Sequence, residues 1–309
     1  MAAPEQNIAV SVRDLERRFG NFIAVNRVSF DVAKGEIFGF LGPNGSGKST
    51  TIRMLTGILA PSGGAGTVAG FDVRTQAEKI KAHIGYMSQR FSLYEDLTVE
   101  ENIDFYSGIY RIPKKRRRER KEWVIGMGGL AEHRASRTAI LSGGWKQRLA
   151  LGCAVLHEPP VIFLDEPTSG VDPLSRRRFW ELIYDLSARG VTVFVTTHYM
   201  EEAERLCDRL VILDAGHILA CDTPRALINA HIEPHVVELI GTTGGEAPPP
   251  ELSGGPGGRL HRAGDLVLLY TAAPRLLLER LDAAGQRYLH RPANLEDVFL
   301  KLTGHELRD

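Results

Sequence analysis

The sequence has few cysteines, no net charge and no long apolar segment, and each shortage excludes a class of protein. Its three cysteines, Cys153, Cys207 and Cys221, are odd in number and form no Cys-x-x-Cys pair, which favours buried, reduced thiols over a disulfide framework. Lysine plus arginine and aspartate plus glutamate number 38 each, so no global charge attracts nucleic acid or an acidic surface. The longest apolar runs, such as 191–195, are far shorter than the roughly 20 residues that span a bilayer.

The length and composition are those of a folded chain with two domains. The N-terminal residues have neither a basic start nor an apolar segment, so we expect no secretory signal. The 32 glycines and 16 prolines stay well below the share of about 25–30% that is typical of disorder. A chain of 309 residues, at roughly 150 residues per domain, predicts about two domains.

Two kinds of strand pattern predict an α/β fold. Residues 8–12 and 28–32 alternate apolar and polar side chains, as antiparallel strands with one covered face do. Continuous apolar runs, which are typical of parallel strands buried on both faces, occupy 37–41 and 161–164, with further candidates at 191–195 and 210–213. Helical patterns lie between these runs, so we expect a parallel core sheet beside an antiparallel β subdomain.

The rest of the chain predicts a helical insertion and a small appended domain. Strand patterns disappear between about 92 and 157, where the apolar residues take helical spacing. Glycine and proline dominate 241–258, which predicts a long surface loop. Short strand-like pieces and two helices surround this loop, and the last helix is predicted to have Asn294 as its N-cap and Asp297 at its third position and to end at Gly304. We therefore expect an α/β domain over 1–230, with the helical insertion inside it, and an α+β domain over 231–309.

A glycine-rich segment predicts a phosphate-binding loop. It fits G-x-x-x-x-G-K-[ST], follows the buried strand 37–41 and opens a helix. Backbone N–H groups and the helix N-terminus bind a polyphosphate there, while Lys48 would neutralise the β- and γ-phosphates and Ser49 would ligate Mg²⁺. The sequence therefore predicts that ATP and Mg²⁺ bind through Gly42, Pro43, Asn44, Gly45, Ser46, Gly47, Lys48, Ser49 and Thr50.

Two carboxylates end the apolar run 161–164. Asp165 is placed to hold Mg²⁺, directly or through water. Glu166, one residue further on, is placed as the general base that polarises the water attacking the γ-phosphate. The alternative is that Glu166 only caps an element or forms a salt bridge.

The segment 141–148, Leu-Ser-Gly-Gly-Trp-Lys-Gln-Arg, resembles the LSGGQ signature of ABC-type ATPases, and it lies in the family's order between the phosphate loop and Asp165. Other matches follow the same order over roughly 7–230. Gln89 resembles the Q-loop glutamine, 169–172 the D-loop, His198 the switch histidine, and Phe19 the A-loop aromatic. The resemblance implies a P-loop NTPase fold with an inserted helical lobe.

The resemblance also implies roles for these residues. Ser142, Gly143 and Gly144 would close on the γ-phosphate of the ATP held by a second subunit, so two chains would pair head to tail around two ATP molecules. Gln89 would contact ATP and Mg²⁺, His198 would sense the γ-phosphate, Asp172 would couple the two sites, and Phe19 would stack on adenine. The alternatives are a structural strand-end histidine for His198 and a core aromatic for Phe19.

Trp145 departs from the family pattern, which has glutamine at this position. The γ-phosphate contacts are expected from Ser142 and the glycine amides, so closure on ATP should survive. The strength of closure or the rate of hydrolysis could differ.

The segments 90–102 and 295–304 resemble exporter ATPases of the daunorubicin and multidrug-resistance class. This implies a subunit at the cytoplasmic face of a bacterial membrane, working with a second ATPase subunit and with separately encoded transmembrane permease subunits, and with no nucleic acid. The cargo would be set by the membrane subunit. A soluble ABC ATPase acting on ribosomes or nucleic acid, and an importer subunit, are the alternatives.

Two further features keep alternatives open. The final helix has an apolar stripe of Leu295, Val298, Phe299 and Leu302, which either docks on its own domain or belongs to a domain that helps to pair two subunits. The basic run 114–121 is either a solvated helix face or a contact with anionic lipid headgroups.

Overall fold

The structure is a computed structural model that describes residues 7–89, 92–240, 259–263 and 266–304. The strands are β1 (Ile8–Phe19), β2 (Phe22–Ala33), β3 (Ile37–Leu41), β4 (Gly63–Val68), β5 (Phe71–Asp72), β6 (Ile84–Met87), β7 (Val161–Asp165), β8 (Thr192–Thr197), β9 (Arg209–Asp214), β10 (His217–Asp222), β11 (His235–Leu239), β12 (Arg259–Ala263), β13 (Leu266–Thr271) and β14 (Tyr288–Pro292). The helices are α1 (Lys48–Leu55), α2 (Ala77–His83), α3 (Val99–Ile109), α4 (Lys114–Gly128), α5 (Gly143–Val155), α6 (Pro173–Ala188), α7 (Met200–Leu206), α8 (Pro224–His231), α9 (Pro274–Ala283) and α10 (Leu295–Thr303). Short 3-10 helices occupy Ala131–His133 and Thr138–Ile140.

A six-stranded sheet in the order β10-β9-β3-β8-β7-β6 forms the core of the first part of the chain. The pairs β9–β3, β3–β8, β8–β7 and β7–β6 are parallel. Every residue of β3, β7 and β8 is buried. The continuous apolar runs therefore predicted these strands correctly, because a strand covered on both faces has no position for a solvated side chain.

A second sheet, in the order β2-β1-β4-β5, is antiparallel throughout. Strands β1 and β2 are each 12 residues long, more than twice the length that their alternating segments predicted. Irregularities in the register between Val12 and Arg18 break the alternation, so periodicity alone does not reveal the full strands. Their hairpin tip brings Phe19 opposite Phe22.

Helices α3, α4 and α5 occupy the interval in which the strand patterns disappear. Their apolar sides share one cluster that includes Val99, Ile103, Val124 and Leu149. Thr98 begins α3 with a capping box, since its side chain accepts from the N–H of Glu101 and the Glu101 side chain accepts from the N–H of Thr98. Among the described residues, no helix combines the length and the apolar character that a bilayer span requires.

The contacts between Cα atoms divide the chain into two units, Met1–Leu219 and Ala220–Asp309. This boundary lies 11 residues before the expected one at 230, because α8 packs on α10 and so belongs to the second unit. The second unit holds an antiparallel sheet in the order β12-β13-β11-β14. The predicted loop 241–258 lies outside the described residues.

The last helix, α10, begins and ends as its sequence predicts. Asn294 caps its start in a capping box with Asp297, and Gly304 ends it in the left-handed conformation. Leu295, Val298 and Phe299 are buried. Leu302 is only half-buried, whereas Leu300 is buried, so the predicted stripe is displaced at its end.

The three cysteines are free thiols, as their number and spacing predict. Cys153 and Cys207 are buried, and burial raises the pKa of both thiols. The expectation of burial is wrong for Cys221, which is half-buried because it lies on β10 at the edge of its sheet.

Candidate functional site

The phosphate loop connects β3 to α1 with its backbone turned inward. Gly47 caps α1 at φ 107°, a conformation that L side chains rarely adopt, and a Cβ added there would lie 2.6 Å from the carbonyl oxygen of Ala24. Gly42 approaches the carbonyl oxygen of Leu213 so closely that an added Cβ would lie 2.2 Å from it. Glycine is therefore required at both positions for the loop to fit between the strands. The Ser46 hydroxyl is buried in the loop without a hydrogen-bond partner among the described residues.

Lys48 is the first residue of α1, and its side chain turns back over the loop. Its Nζ donates to the carbonyl oxygens of Gly42 and Pro43 at 2.7 and 3.1 Å. The same atom lies 3.3 Å from Oε1 of Glu166, and only 4% of the Lys48 side chain is exposed. Burial lowers the pKa of Lys48, and the neighbouring carboxylates of Glu166 and Asp165 oppose this effect.

Asp165 ends β7 beside the start of α1. Its Oδ1 accepts hydrogen bonds from the hydroxyls of Ser49 at 3.0 Å and Thr196 at 2.7 Å. Thr196 lies on β8 directly opposite Asp165 in the parallel register. Two of the three metal ligands predicted from the sequence, Ser49 and Asp165, are thus adjacent, whereas the third, Gln89, contacts Glu166. Thr196, which nothing in its local sequence marked, holds Asp165 in place.

Glu166 leaves the strand through a left-handed backbone conformation. Its φ is 48°, which is uncommon outside glycine and costs backbone free energy. Two acceptors on Thr196 fix it, since the Glu166 N–H donates to the hydroxyl at 3.0 Å and to the carbonyl oxygen at 3.2 Å. This turn separates two consecutive carboxylates, so that Asp165 faces Ser49 and Glu166 faces Lys48.

Three side chains surround the buried Glu166 carboxylate. Gln89 Nε2 donates to Oε2 at 3.0 Å, and His198 Nδ1 lies 3.2 Å from the same oxygen. Lys48 approaches Oε1. The contact with His198, followed by the charge of Lys48, lowers the pKa of Glu166 against the opposing effect of burial. The arrangement therefore holds an ionised carboxylate beside the phosphate loop.

A cleft of about 280 Å³ joins these groups to the β1–β2 hairpin. It is lined by Phe19, Phe22, Ala24, Asn44, Gly45, Gly47, Lys48, Ser49, Thr50, Gln89 and Glu166. Phe19 is 47% exposed, so it is not a core aromatic, and the Arg17 guanidinium lies 4.5 Å from its ring centroid. Phe22 was missed at the sequence level. The signal in the sequence is a large apolar residue directly after the Gly-Asn turn. In the structure this side chain is 64% exposed.

The residues of the ABC-like signature lie elsewhere. Ser142 and Gly143 are exposed at the start of α5, and neither belongs to the lining of the cleft, nor does Gly144. A Cβ on Gly144 would lie 2.6 Å from the Ser175 hydroxyl oxygen, so this glycine lets α5 pack beside α6. Asp172 caps α6 by accepting from the N–H of Ser175 at 2.9 Å, and hydrogen bonds from the Ser175 side chain and then from this N–H lower the pKa of Asp172. One chain therefore does not bring its signature to its own phosphate loop.

Trp145 packs into the helical lobe instead of extending toward a phosphate. Its ring lies 4.5 Å from that of His133, and the Arg148 guanidinium lies 4.6 Å from its centroid. It is half-buried against the cluster of α3, α4 and α5. The departure from glutamine thus adds packing within the lobe.

The donor set fits a magnesium nucleotide. The Ser49 and Asp165 oxygens are 3.0 Å apart, close to the spacing of about 2.9 Å between adjacent ligands in an octahedron with bonds of 2.0–2.1 Å. The unpartnered Ser46 hydroxyl and the inward-facing loop suit phosphate oxygens. Fold and site together define a P-loop nucleotide-binding protein.

The comparisons with known proteins identify the family. The model of the ABC transporter family matches residues 25–169, and that of the C-terminal domain of the nodulation factor export protein NodI matches 252–304. The Nod factor export ATP-binding protein I of Burkholderia orbicola is 40% identical over 97% of this chain and 98% of its own length. The protein of the same name from Rhizobium meliloti is 41% identical over 98% of this chain and 90% of its own length.

A relative that matches over part of its length and a solved structure are also ABC transporter ATP-binding proteins. The probable multidrug ABC transporter ATP-binding protein YbhF of Escherichia coli is 47% identical over 70% of this chain and 37% of its own length. A solved ATP-binding subunit of an ABC transporter is 31% identical, with a TM-score of 0.65 over 72% of this chain and 92% of its own. The chain belongs to the ABC transporter family, as an ATP-binding subunit. The predicted fold is confirmed, and the exporter prediction is supported over the importer and the soluble alternatives.

Proposed function

We propose that this chain hydrolyses Mg·ATP through Lys48, Asp165 and Glu166, and that a head-to-tail pair of such chains drives a separate membrane permease. The observation that carries the proposal is the shared position of three groups around one phosphate loop. These are a buried ammonium, a carboxylate hydrogen-bonded to a serine hydroxyl, and an ionised carboxylate contacted by three side chains.

The groups divide the work of phosphoryl transfer between them. Lys48 and the loop N–H groups would hold the β- and γ-phosphates, while Ser49 and Asp165 would hold Mg²⁺, with the Gln89 oxygen as a further ligand. The metal would supply charge neutralisation on the phosphate oxygens. Phe19 would stack on adenine, with Arg17 against the other face of its ring.

Glu166 would act as the general base toward the attacking water. Lys48 stabilises its ionised form at 3.3 Å. A triphosphate that draws the ammonium to itself removes this stabilisation, so the carboxylate becomes more basic as the nucleotide binds. His198 and Gln89, on the other oxygen, would keep it in line with the water.

The exposed start of α5 supports a paired site. Ser142 and Gly143 present backbone N–H groups and a hydroxyl at an exposed helix N-terminus, away from the cleft of their own chain. In a head-to-tail pair they would complete the phosphate site of the second chain, and Asp172 would lie at the junction. The second unit would stabilise the pair.

An exposed apolar ridge near Gln89 supports a permease contact. Tyr94, Phe105 and Ile109 are 49%, 38% and 58% exposed, and the rings of Tyr94 and Phe105 lie 4.5 Å apart. Such a ridge would transmit movement between Gln89 and a membrane subunit at the inner face of a bacterial membrane. The relatives named for Nod factor export and multidrug transport support an exported cargo, which that subunit would select.

The test is the Glu166→Gln variant, with Glu119→Gln on exposed α4 as the matched control. We expect Glu166→Gln to bind Mg·ATP, to lose at least 100-fold in turnover, and to elute as a dimer when ATP is present. Glu119→Gln should match wild type in all three measurements. Turnover of Glu166→Gln near the wild-type rate would show that Glu166 is not the base.

A further inference from the structure

The basic segment from Arg111 to Lys121 contains cations that hold the helical lobe together. Arg116 and Arg120 lie 2.6 and 3.2 Å from the carboxylate of Glu158, and Arg120 also donates to the carbonyls at the end of α5. Lys121 lies 2.8 Å from each of two carboxylates on α3. Arg117 donates to the carbonyl oxygen of Ile112. These four side chains have structural partners.

The remaining four cations are Arg111, Lys114, Lys115 and Arg118, which we call the α4 cationic cluster. All four are exposed, and none forms an ion pair within 4.0 Å in the part of the chain that the structure describes. At about 100° per residue, the three members on α4 fall within an arc of about 100°. They therefore form one stripe, and the paired residues 116, 117, 120 and 121 occupy a separate arc of about 140° in which Lys121 lies only about 20° from Lys114.

Stability of α4 does not explain this placement. The first turn of the helix contains no acidic residue, and cations near a helix N-terminus oppose the helix dipole. Of the acidic residues on that face, Glu122 pairs with Arg134, and Glu119 offsets a single positive charge. The chain as a whole has no net charge, so the cluster is a local feature.

Apolar surface continues directly from the cluster. Ile109, 58% exposed, lies two residues before Arg111, and both line one cleft of about 560 Å³ with residues of α2. The ridge of Tyr94, Phe105 and Ile109 ends at this point. Cations beside exposed apolar side chains are the combination by which peripheral surfaces bind the interface of an anionic membrane.

We propose that the α4 cationic cluster binds the anionic phospholipid headgroups of the membrane in which the permease lies. The proposal rests on the proposed function only in placing the chain beside a membrane. A lipid surface is favoured over nucleic acid because three of the four cations lie on one exposed helix face, the cluster adjoins the exposed side chain of Ile109, and no aromatic ring of the described residues stacks on a cation of the cluster. Its role would be to orient the ATPase before and during contact with the permease.

The experiment is flotation of the full chain with vesicles of phosphatidylcholine, with and without 30% phosphatidylglycerol. We expect binding to the anionic vesicles only, with a loss at high salt. The variant Lys114→Gln/Lys115→Gln/Arg118→Gln should bind about 100-fold more weakly at low salt, at roughly fivefold per cation. The control Arg177→Gln/Arg178→Gln/Arg275→Gln removes the same charge from exposed positions elsewhere and should bind like wild type.

Several outcomes would overturn the proposal. They are absence of wild-type binding, equal binding by the cluster variant, and an equal loss in the control. Binding to an RNA homopolymer but not to vesicles would assign the cluster to nucleic acid instead. Circular dichroism and binding of Mg·ATP show that each variant is folded. ATP turnover by the free chain separates this test from the proposed function, since the cluster variant should hydrolyse ATP at the wild-type rate.

Discussion

The ammonium of Lys48 and the carboxylate of Glu166 lie 3.3 Å apart, and both side chains are less than 10% exposed. Each therefore gives the other a charge partner away from water. The pair also joins the residue that would hold the γ-phosphate to the residue that would activate water. Binding of a phosphate by Lys48 would therefore raise the basicity of Glu166.

This pair predicts a pH dependence of stability. The pKa of Glu166 is lowered from its ordinary 4.5, so its ionised form stabilises the folded chain above that pH and the stabilisation is lost as the pH falls through the lowered pKa. The free energy of unfolding of wild type relative to Glu166→Gln should rise with pH up to about 4.5 and then stay constant. Denaturant titrations from pH 3.5 to 6.5 measure it. A difference that falls as the pH rises toward 4.5 would contradict the lowered pKa.

Gln89→Glu and Gln89→Ala test the neighbour of Glu166. The amide of Gln89 donates to Oε2 at 3.0 Å, so a carboxylate in its place would repel the base, whereas alanine only removes a contact. We expect turnover to fall in both variants, and further in Gln89→Glu, with the gap narrowing at lower pH. ATPase rates from pH 6 to 8 provide the measurement. Equal rates in the two variants would place Gln89 away from the base.

Phe19→Ala should weaken ATP binding by about 1–3 kcal/mol, the usual contribution of one stacked base, whereas Phe19→Trp should retain it. Titration with a fluorescent ATP analogue checks both. Phe22→Ala tests the second aromatic of the hairpin, which lines the same cleft. If only Phe22→Ala weakens binding, adenine stacks on Phe22.

Gly39→Ala should destabilise the core sheet by about 1–3 kcal/mol. An added Cβ would lie 2.5 Å from Cys207 Sγ and 3.1 Å from the Leu210 Cβ. Cys207→Ala removes the sulfur, so the double variant should recover part of the loss. Denaturant unfolding of wild type, the two single variants and the double variant gives the four free energies of the double-mutant cycle. Purely additive effects would argue against the contact between residue 39 and Cys207.

Asp297→Asn should destabilise the second unit by about 3–5 kcal/mol, the cost of breaking a buried ion pair. Asp297 is fully buried and accepts from the guanidinium of Arg291 at 2.7 and 2.9 Å and from the Tyr270 hydroxyl at 3.1 Å. Limited proteolysis and thermal unfolding measure the effect. Glu296→Gln, its neighbour in α10, is the control and should unfold like wild type, while a loss of less than 1 kcal/mol for Asp297→Asn would contradict the pairing.

Local sequence was sufficient to predict an element wherever the conformation of a segment is determined by its own contiguous residues. The buried strands β3, β7 and β8, the phosphate loop and the caps of α10 were all predicted from contiguous residues. The position of Asp165 and Glu166 after a buried strand followed from the same reasoning. In these segments the local preference and the final fold agree.

Contacts that join distant segments were not predictable from the sequence. Thr196 lies 31 residues from Asp165 and meets it only through the register of two parallel strands. The partner of Asp297 lies on β14, so Asp297 was recognised as a helix cap but not as half of a buried ion pair. Phe22 needed the hairpin to bring it to the cleft. In each case the contact depends on how distant segments pair in the folded chain, and a single sequence does not reveal that pairing.

The left-handed backbone at Glu166 limits which inactive forms of this chain can still fold. Asparagine, aspartate and glycine tolerate a φ of 48°, whereas valine, isoleucine and threonine do not. A base-deficient copy with one of the first three residues should therefore persist as a folded, ATP-binding partner in a mixed pair. A β-branched replacement should lower the free energy of unfolding by about 1–3 kcal/mol, so less of the variant would be folded and able to pair.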